Sequence, residues 1–144
     1  MRKLKKILLI DDDKINNFIN KKLLDALEIA EEVVECNNGK KALDHLLKCR
    51  NEGNTCPEFI ILDNFMPVMD GDELLEHLYE TGFFNKEEVV VLVLVAQTRV
   101  EEIERYRQLG VKEFSYKPLS AEIVMNIYNK YWAAKANNTS SNII

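Results

Sequence analysis

The chain of 144 residues has few cysteines, no excess of basic residues and no long apolar run. Its three cysteines, Cys36, Cys49 and Cys56, are odd in number and lack C-x-x-C spacing, which argues against a disulfide framework and against a zinc site. We therefore expect reduced thiols in the cytoplasm. The formal net charge of -5 disfavours a nucleic-acid-binding surface, so no direct nucleic-acid partner is expected.

No apolar stretch approaches the roughly 20 residues that a membrane-spanning helix needs, so no membrane partner is expected. The basic start of the chain resembles that of a signal peptide, but the apolar run behind it, residues 7–10, ends at Asp11 and is too short. The length fits one domain of ordinary size. We predict that this domain covers residues 1–135 and that residues 136–144 form a polar tail without ordered structure.

Short apolar runs alternate with segments of helical spacing, which predicts a β-α order repeated five times. The predicted strands are residues 6–10, 33–36, 59–62, 89–95 and 113–116. The run 89–95 is apolar throughout, which is typical of a parallel strand covered on both faces. With right-handed crossovers, this pattern favours an α/β fold: a doubly wound five-stranded parallel sheet, flavodoxin-like (βα)5, with strand order 2-1-3-4-5.

The predicted helices carry recognisable start signals. Asp13 suits the N-cap of the first helix, and Ser120 suits that of the last. The apolar residues at helical spacing in the first helix are Ile15, Ile19, Leu23, Leu24 and Leu27. His45 and His77 fall on predicted helices away from the strand ends, and we expect both at the surface.

Carboxylates follow the first and third predicted strands, which are neighbours at the switch point of this strand order, where ligands bind in such sheets. Asp11 and Asp12 end the first strand, and Asp63 ends the third. Carboxylates this close would repel one another unless a divalent cation lay between them, and Mg²⁺ suits oxygen ligands and keeps several waters. We predict that Asp12 and Asp63 bind Mg²⁺ directly and Asp11 through water, with the backbone carbonyl of Phe65 completing the set.

One of these carboxylates is also a candidate nucleophile. A carboxylate can form an aspartyl phosphate, and Asp63 is the candidate for that reaction. Phosphoryl transfer depends mainly on positioning and on charge stabilisation. Lys117, at the end of the fifth predicted strand, would supply a second positive charge beside the cation. The following Pro118 also makes this peptide bond one of the few that admit a cis form.

Three motifs occur here in the order known from one protein family. They are the first strand with its aspartates (residues 7–13), the segment from Leu62 to Gly71, and the pair Lys117-Pro118. Together they resemble the receiver domain of bacterial two-component response regulators, in its single-domain, chemotaxis-regulator-like form, over about residues 5–135. The resemblance implies that Asp63 accepts a phosphoryl group from the phosphohistidine of a sensor histidine kinase or phosphotransfer protein.

The same resemblance implies roles for the other site residues. Asp11 and Asp12 would hold Mg²⁺, and Lys117 would contact the phosphoryl group. The protein would signal by docking to a downstream protein partner, and no turnover of an external substrate is expected. Phe114 would occupy the aromatic switch position of the family.

The pattern departs from the family at the end of the fourth strand. Counting back from Lys117, the Thr or Ser that binds the phosphoryl oxygen in the family falls on Val95, which has no hydroxyl. A hydrogen bond to a charged group contributes roughly 1.5–3 kcal/mol, so its loss should weaken the coupling between the phosphorylated site and Phe114. Thr98 could replace the hydroxyl only if the strand or the loop were rearranged.

Two alternatives stay open at this point. A degenerate receiver would bind its partners regardless of phosphorylation, and Val95 favours that reading. An enzyme is the second alternative, because Asp11-x-Asp13 after an apolar strand also resembles the haloacid-dehalogenase phosphatases. However, Ile15 stands where that pattern expects Thr or Val, and the motif around Asp63 would have no explanation.

Overall fold

Strands and helices alternate along the chain in the computed structural model, which describes residues 2–53, 55–63, 71–80, 89–96 and 101–133. Within these residues the strands are β1 (Leu4–Ile10), β2 (Ala30–Cys36), β3 (Phe59–Asp63), β4 (Val90–Val95) and β5 (Glu113–Tyr116). The helices are α1 (Lys14–Leu27), α2 (Gly39–Asn51), α3 (Gly71–Glu80), α4 (Glu102–Gln108) and α5 (Ala121–Tyr128), and a π-helical turn follows at Asn129–Ala133. The predicted tail, residues 136–144, lies outside the described residues.

The strands form one parallel sheet in the order β2-β1-β3-β4-β5. The predicted doubly wound α/β fold is therefore confirmed. In the register of the sheet, Ile10 of β1 lies opposite Cys36 of β2 and Leu62 of β3. All five strands consequently end at one edge, and the order reverses at that edge between β1 and β3.

Helices cover both faces of the sheet, which explains why its inner strands are apolar on both sides. The face covered by α2, α3 and α4 is packed with buried residues that include Ala42, Leu46, Leu74, Leu75 and Tyr106. The face covered by α1, α5 and the π-helical turn is packed with buried residues that include Leu24, Val124, Ile127, Tyr128 and Trp132. None of the described helices is long and apolar enough to cross a membrane.

Local hydrogen bonds begin two of the helices where the sequence predicts. The Asp13 carboxylate accepts hydrogen bonds from the backbone amides two and three residues later, at 2.8 and 3.3 Å. The Ser120 hydroxyl accepts one from the amide of Ile123 at 3.2 Å. Both predicted N-caps are confirmed. Gly110, just beyond α4, has a φ of 102°, in the left-handed region that favours glycine.

The apolar spacing predicts α1 correctly but does not predict which face of the helix is buried. Ile15 and Ile19 are 70% and 57% exposed, and Phe18 is 58% exposed. The buried face of α1 instead carries Asn17 and Leu24. Asn17 makes hydrogen bonds on the buried face of the helix, and the apolar residues of its first turns are exposed.

The expectation of three reduced thiols is wrong for one pair. Cys49, near the end of α2, forms a disulfide with Cys56, which precedes β3, and their Cα atoms lie 5.4 Å apart. The chain turns back after α2 and brings these two cysteines together. With three cysteines in the sequence, the spacing alone does not indicate which two would pair. Cys36 is a free buried thiol, and burial raises its pKa.

Candidate functional site

Three carboxylates converge at the edge of the sheet where the strands end. Asp11 and Asp12 follow β1, and Asp63 is the last residue of β3. Because β1 and β3 are directly paired, their ends lie side by side. Each of the three residues offers a carboxylate oxygen, and these oxygens all lie within 4.8 Å of one another. The structure thus brings together residues some fifty positions apart, as the predicted strand order requires.

Burial makes the close approach of these carboxylates unfavourable. Asp11 is 6% exposed and Asp63 is 4% exposed, whereas Asp12 is open to solvent. The pKa of Asp11 is raised to about 7, mainly by burial and in addition by the negative charge of Asp63. The backbone amide of Asp13 donates a hydrogen bond to Asp11 Oδ1 at 2.9 Å, and this bond lowers the pKa of Asp11. The cluster therefore favours a bound positive charge.

One positive charge comes from the chain itself. Lys117, which follows β5, places its Nζ 2.5 Å from Asp63 Oδ1, and its side chain remains one-third exposed. Its backbone amide donates a hydrogen bond to the carbonyl of Val95 at 3.1 Å, and its bond to Pro118 is cis. The ends of β4 and β5 together hold the lysine against the carboxylates.

The two residues predicted to take part in switching lie on β4 and β5. Val95 is the last residue of β4, and its side chain is fully buried. Phe114 is half-buried and packs edge-on against Tyr106, with ring centroids 6.4 Å apart, and under the guanidinium of Arg107 at 5.7 Å. Phe65 and Thr98 lie outside the described residues.

The donor set at this edge fits a magnesium ion. It consists of carboxylate oxygens alone, and Mg²⁺ is usually held by one or two carboxylates while it keeps several waters. Asp12 is exposed, so one carboxylate of the cluster is accessible to solvent. The two buried carboxylates supply the negative charge that such an ion would neutralise.

Comparison with known proteins identifies the family. The sequence model of the response regulator receiver domain matches residues 7–129. The chain belongs to this receiver family. The receiver is 33% identical over 125 residues to two-component response regulator 24 of Arabidopsis thaliana, an alignment that covers 85% of this chain and 81% of that protein.

Solved receiver structures share the fold. A two-component response regulator from Cytophaga hutchinsonii superposes with a TM-score of 0.79 at 30% identity, over 90% of this chain and 98% of that one. The receiver domain of a sensor histidine kinase from Pseudomonas aeruginosa superposes with a TM-score of 0.71 at 21% identity, over 88% and 96% of the two chains. In that structure a magnesium ion is coordinated in the active site cleft.

Asn17 is a residue of this receiver's site that the sequence analysis missed. Its side chain is 2% exposed, and its Nδ2 donates to the backbone carbonyls of Asp11 at 2.9 Å and Cys36 at 3.3 Å. It thereby links α1 to the ends of β1 and β2. Its spacing of seven residues from the buried Leu24, two helical turns, was a signal that this polar residue lies on the inner face.

Replacing Asn17 by alanine should destabilise the receiver. We expect the free energy of unfolding to fall by about 1–3 kcal/mol, because the buried carbonyl of Asp11 loses its side-chain donor. Chemical denaturation would measure the change. Asn16→Ala, at the exposed neighbouring position, should stay within about 0.5 kcal/mol of the wild type. Equal stability of the two variants would contradict a structural role for Asn17.

Proposed function

We propose that this receiver accepts a phosphoryl group on Asp63 and signals by docking to a protein partner. The observation that carries the proposal is the 2.5 Å contact between Lys117 Nζ and Asp63 Oδ1, beside three carboxylates whose oxygens lie within 4.8 Å of one another. We assign Mg²⁺ to Asp12 and Asp63 directly and to Asp11 through water, with the carbonyl of Phe65 as a further ligand. The magnesium ion bound by the Pseudomonas aeruginosa receiver supports this choice of cation.

The proposed reaction transfers a phosphoryl group from a phosphohistidine of a sensor histidine kinase or phosphotransfer protein. A carboxylate oxygen of Asp63 attacks phosphorus, so that an O–P bond forms while the P–N bond breaks and the departing imidazole takes up a proton. Lys117 faces the negative charge of the transferred oxygens. Bound Mg²⁺ would neutralise the carboxylates and the charge that develops on the phosphoryl group. The product stays on the chain, so no external substrate is turned over.

Incubation with a small acyl phosphate and Mg²⁺ should add one phosphoryl group, which intact-mass spectrometry detects. Asp63→Asn should show no adduct because the nucleophile is gone, and a chelator should abolish the adduct in the wild type. Asp44→Asn, an exposed aspartate on α2, should be modified like the wild type. A phosphorylated Asp63→Asn variant would refute the assignment. An unmodified wild type with Mg²⁺ bound would favour the degenerate receiver, which binds partners without phosphorylation.

We further propose that the phosphohistidine donor docks on α1. Ile15, Phe18 and Ile19 are all more than half exposed and lie three and four residues apart, on one face of the helix. A cluster of exposed apolar side chains is typical of a protein contact surface. Since α1 starts directly beyond Asp12 and Asp13, this surface adjoins the carboxylates. A protein that delivers a phosphoryl group to Asp63 must cover the surface next to it.

Phe18→Ala should separate docking from chemistry. We expect phosphoryl transfer from a histidine phosphotransfer protein that modifies the wild type to slow by about tenfold or more, because the variant loses an aromatic contact that docking would bury. Modification by a small acyl phosphate should continue at the wild-type rate. Asp25→Ala, at an exposed position near the other end of α1, should leave both rates unchanged. Unaltered transfer from the donor protein to Phe18→Ala would exclude α1 as the docking surface.

Val95 lies at the position that should couple phosphorylation of Asp63 to the rest of the domain. A valine at this buried position cannot donate a hydrogen bond to a phosphoryl oxygen. We infer that Asp63 is phosphorylated normally while its coupling to Phe114 is weakened. The degenerate-receiver alternative also rests on Val95. It predicts that the protein binds its partner equally well with and without phosphorylation.

Val95→Thr should strengthen the phosphorylation-dependent change at Phe114. A restored hydrogen bond of about 2 kcal/mol shifts the population of the active state by more than tenfold. The ring signals of Phe114 in NMR spectra, with and without phosphorylation, would report this shift. Val91→Thr, another buried position of β4, controls for the cost of placing a hydroxyl in the sheet. The same response in Val95→Thr as in the wild type would refute the inference.

A further inference from the structure

The first half of β1 carries a buried lysine in a strand that is otherwise largely apolar. Lys6 is 6% exposed, and its Nζ lies 3.3 Å from His45 Nε2 and 3.7 Å from Glu32 Oε1. An ammonium group has three N–H donors, and burying it is costly unless they are used. The His45 nitrogen accepts one of them, while the Glu32 oxygen is beyond hydrogen-bond distance. The buried charge is therefore only partly compensated.

Lys6 opens onto a cleft of about 280 Å³ between the sheet, α2 and the loop before β3. The cleft is lined by Lys6, Glu32, His45, Lys48, Cys49 and Thr55. His45, expected at the surface, is half-buried here, whereas His77 is exposed as expected. The disulfide from Cys49 to Cys56 holds the loop that carries Thr55 against α2. The walls of the cleft are thus tied together covalently.

This cleft is separate from the carboxylate cluster. Lys6 precedes Asp11 by five strand residues, which corresponds to roughly 16 Å along β1. The two sites therefore lie towards opposite ends of the same strand and share no lining residue among those described. A ligand in the cleft would leave Asp63 accessible.

The charges in the cleft favour an anion. Two ammonium groups, on Lys6 and Lys48, face one carboxylate, on Glu32, whose side chain is 59% exposed. Burial and the neighbouring Lys6 lower the pKa of His45, which disfavours a positive charge on this side chain. Thr55, which also lines the cleft, carries a hydroxyl that can donate a hydrogen bond. A local excess of donors and positive charge is notable in a chain with a net charge of -5.

We propose that this cleft binds a phosphate group, either as inorganic phosphate or as the head group of a small phosphomonoester. A phosphate dianion presents several acceptor oxygens and can therefore accept hydrogen bonds from Lys6, Lys48 and Thr55 together. A carboxylate, with two oxygens, would satisfy fewer of these donors. The volume of the cleft is close to the lower end of the range for small-molecule pockets, which suits a phosphate with few attached carbon atoms.

An NMR titration of the full chain, first with inorganic phosphate and then with glycerol phosphate, tests this assignment. A chelator in the buffer prevents the carboxylate cluster from recruiting phosphate through a metal ion. We expect saturable shifts of the His45 and Thr55 signals, and the same shifts in Asp63→Asn. Tighter binding of glycerol phosphate would identify a phosphomonoester site, and equal binding would identify a site for the phosphate group alone. No saturable shift with either compound would overturn the proposal.

Two variants on α2 distinguish phosphate binding in the cleft from nonspecific attraction of phosphate to surface lysines. Lys48→Met should weaken phosphate binding by about tenfold, because one charge-assisted hydrogen bond is lost. Lys40→Met removes the same charge from an exposed position of α2 outside the cleft and should bind like the wild type. Lys48 is also exposed, so both variants should unfold at the wild-type temperature. Equal weakening by the two substitutions would overturn the proposal.

Discussion

The mutual repulsion of three carboxylates at the ends of β1 and β3 is the constraint on which the rest of the site depends. Strand pairing brings their oxygens within 4.8 Å, and two of the three side chains are almost fully buried. The pKa of Asp11, raised to about 7, expresses the cost of that arrangement. Lys117 offsets part of it through its contact with Asp63, and the ends of β4 and β5 hold that lysine in place.

Much of the fold could be predicted because the signals for it are local. A strand buried on both faces has to be apolar along its whole length, so the run ending at Val95 indicates a parallel sheet without any knowledge of its neighbours. The N-caps at Asp13 and Ser120 are bonds to amides two or three residues away, which a short motif can encode. The meeting of Asp11 with Asp63 followed from strand order alone.

The rest could not be predicted because it depends on contacts between elements that are distant in sequence. The spacing from Leu24 can place Asn17 on the inner face of α1, but it does not indicate that the side chain will bond to the ends of two strands. The sequence does not distinguish Lys6 or His45 from other residues of their types. Their contact forms only when β1 packs against α2. The disulfide at Cys49 likewise requires the return of the chain after α2.

The hydrogen bond from the Lys117 amide to the Val95 carbonyl has a consequence for how this protein can diverge. A main-chain carbonyl is the same whatever side chain the residue carries, so the lysine keeps its anchor when position 95 is substituted. The side chain at that position can change without loss of this anchor. A substitution at position 95 can therefore change the packing at the end of β4 without removing the contact that positions the main chain of Lys117.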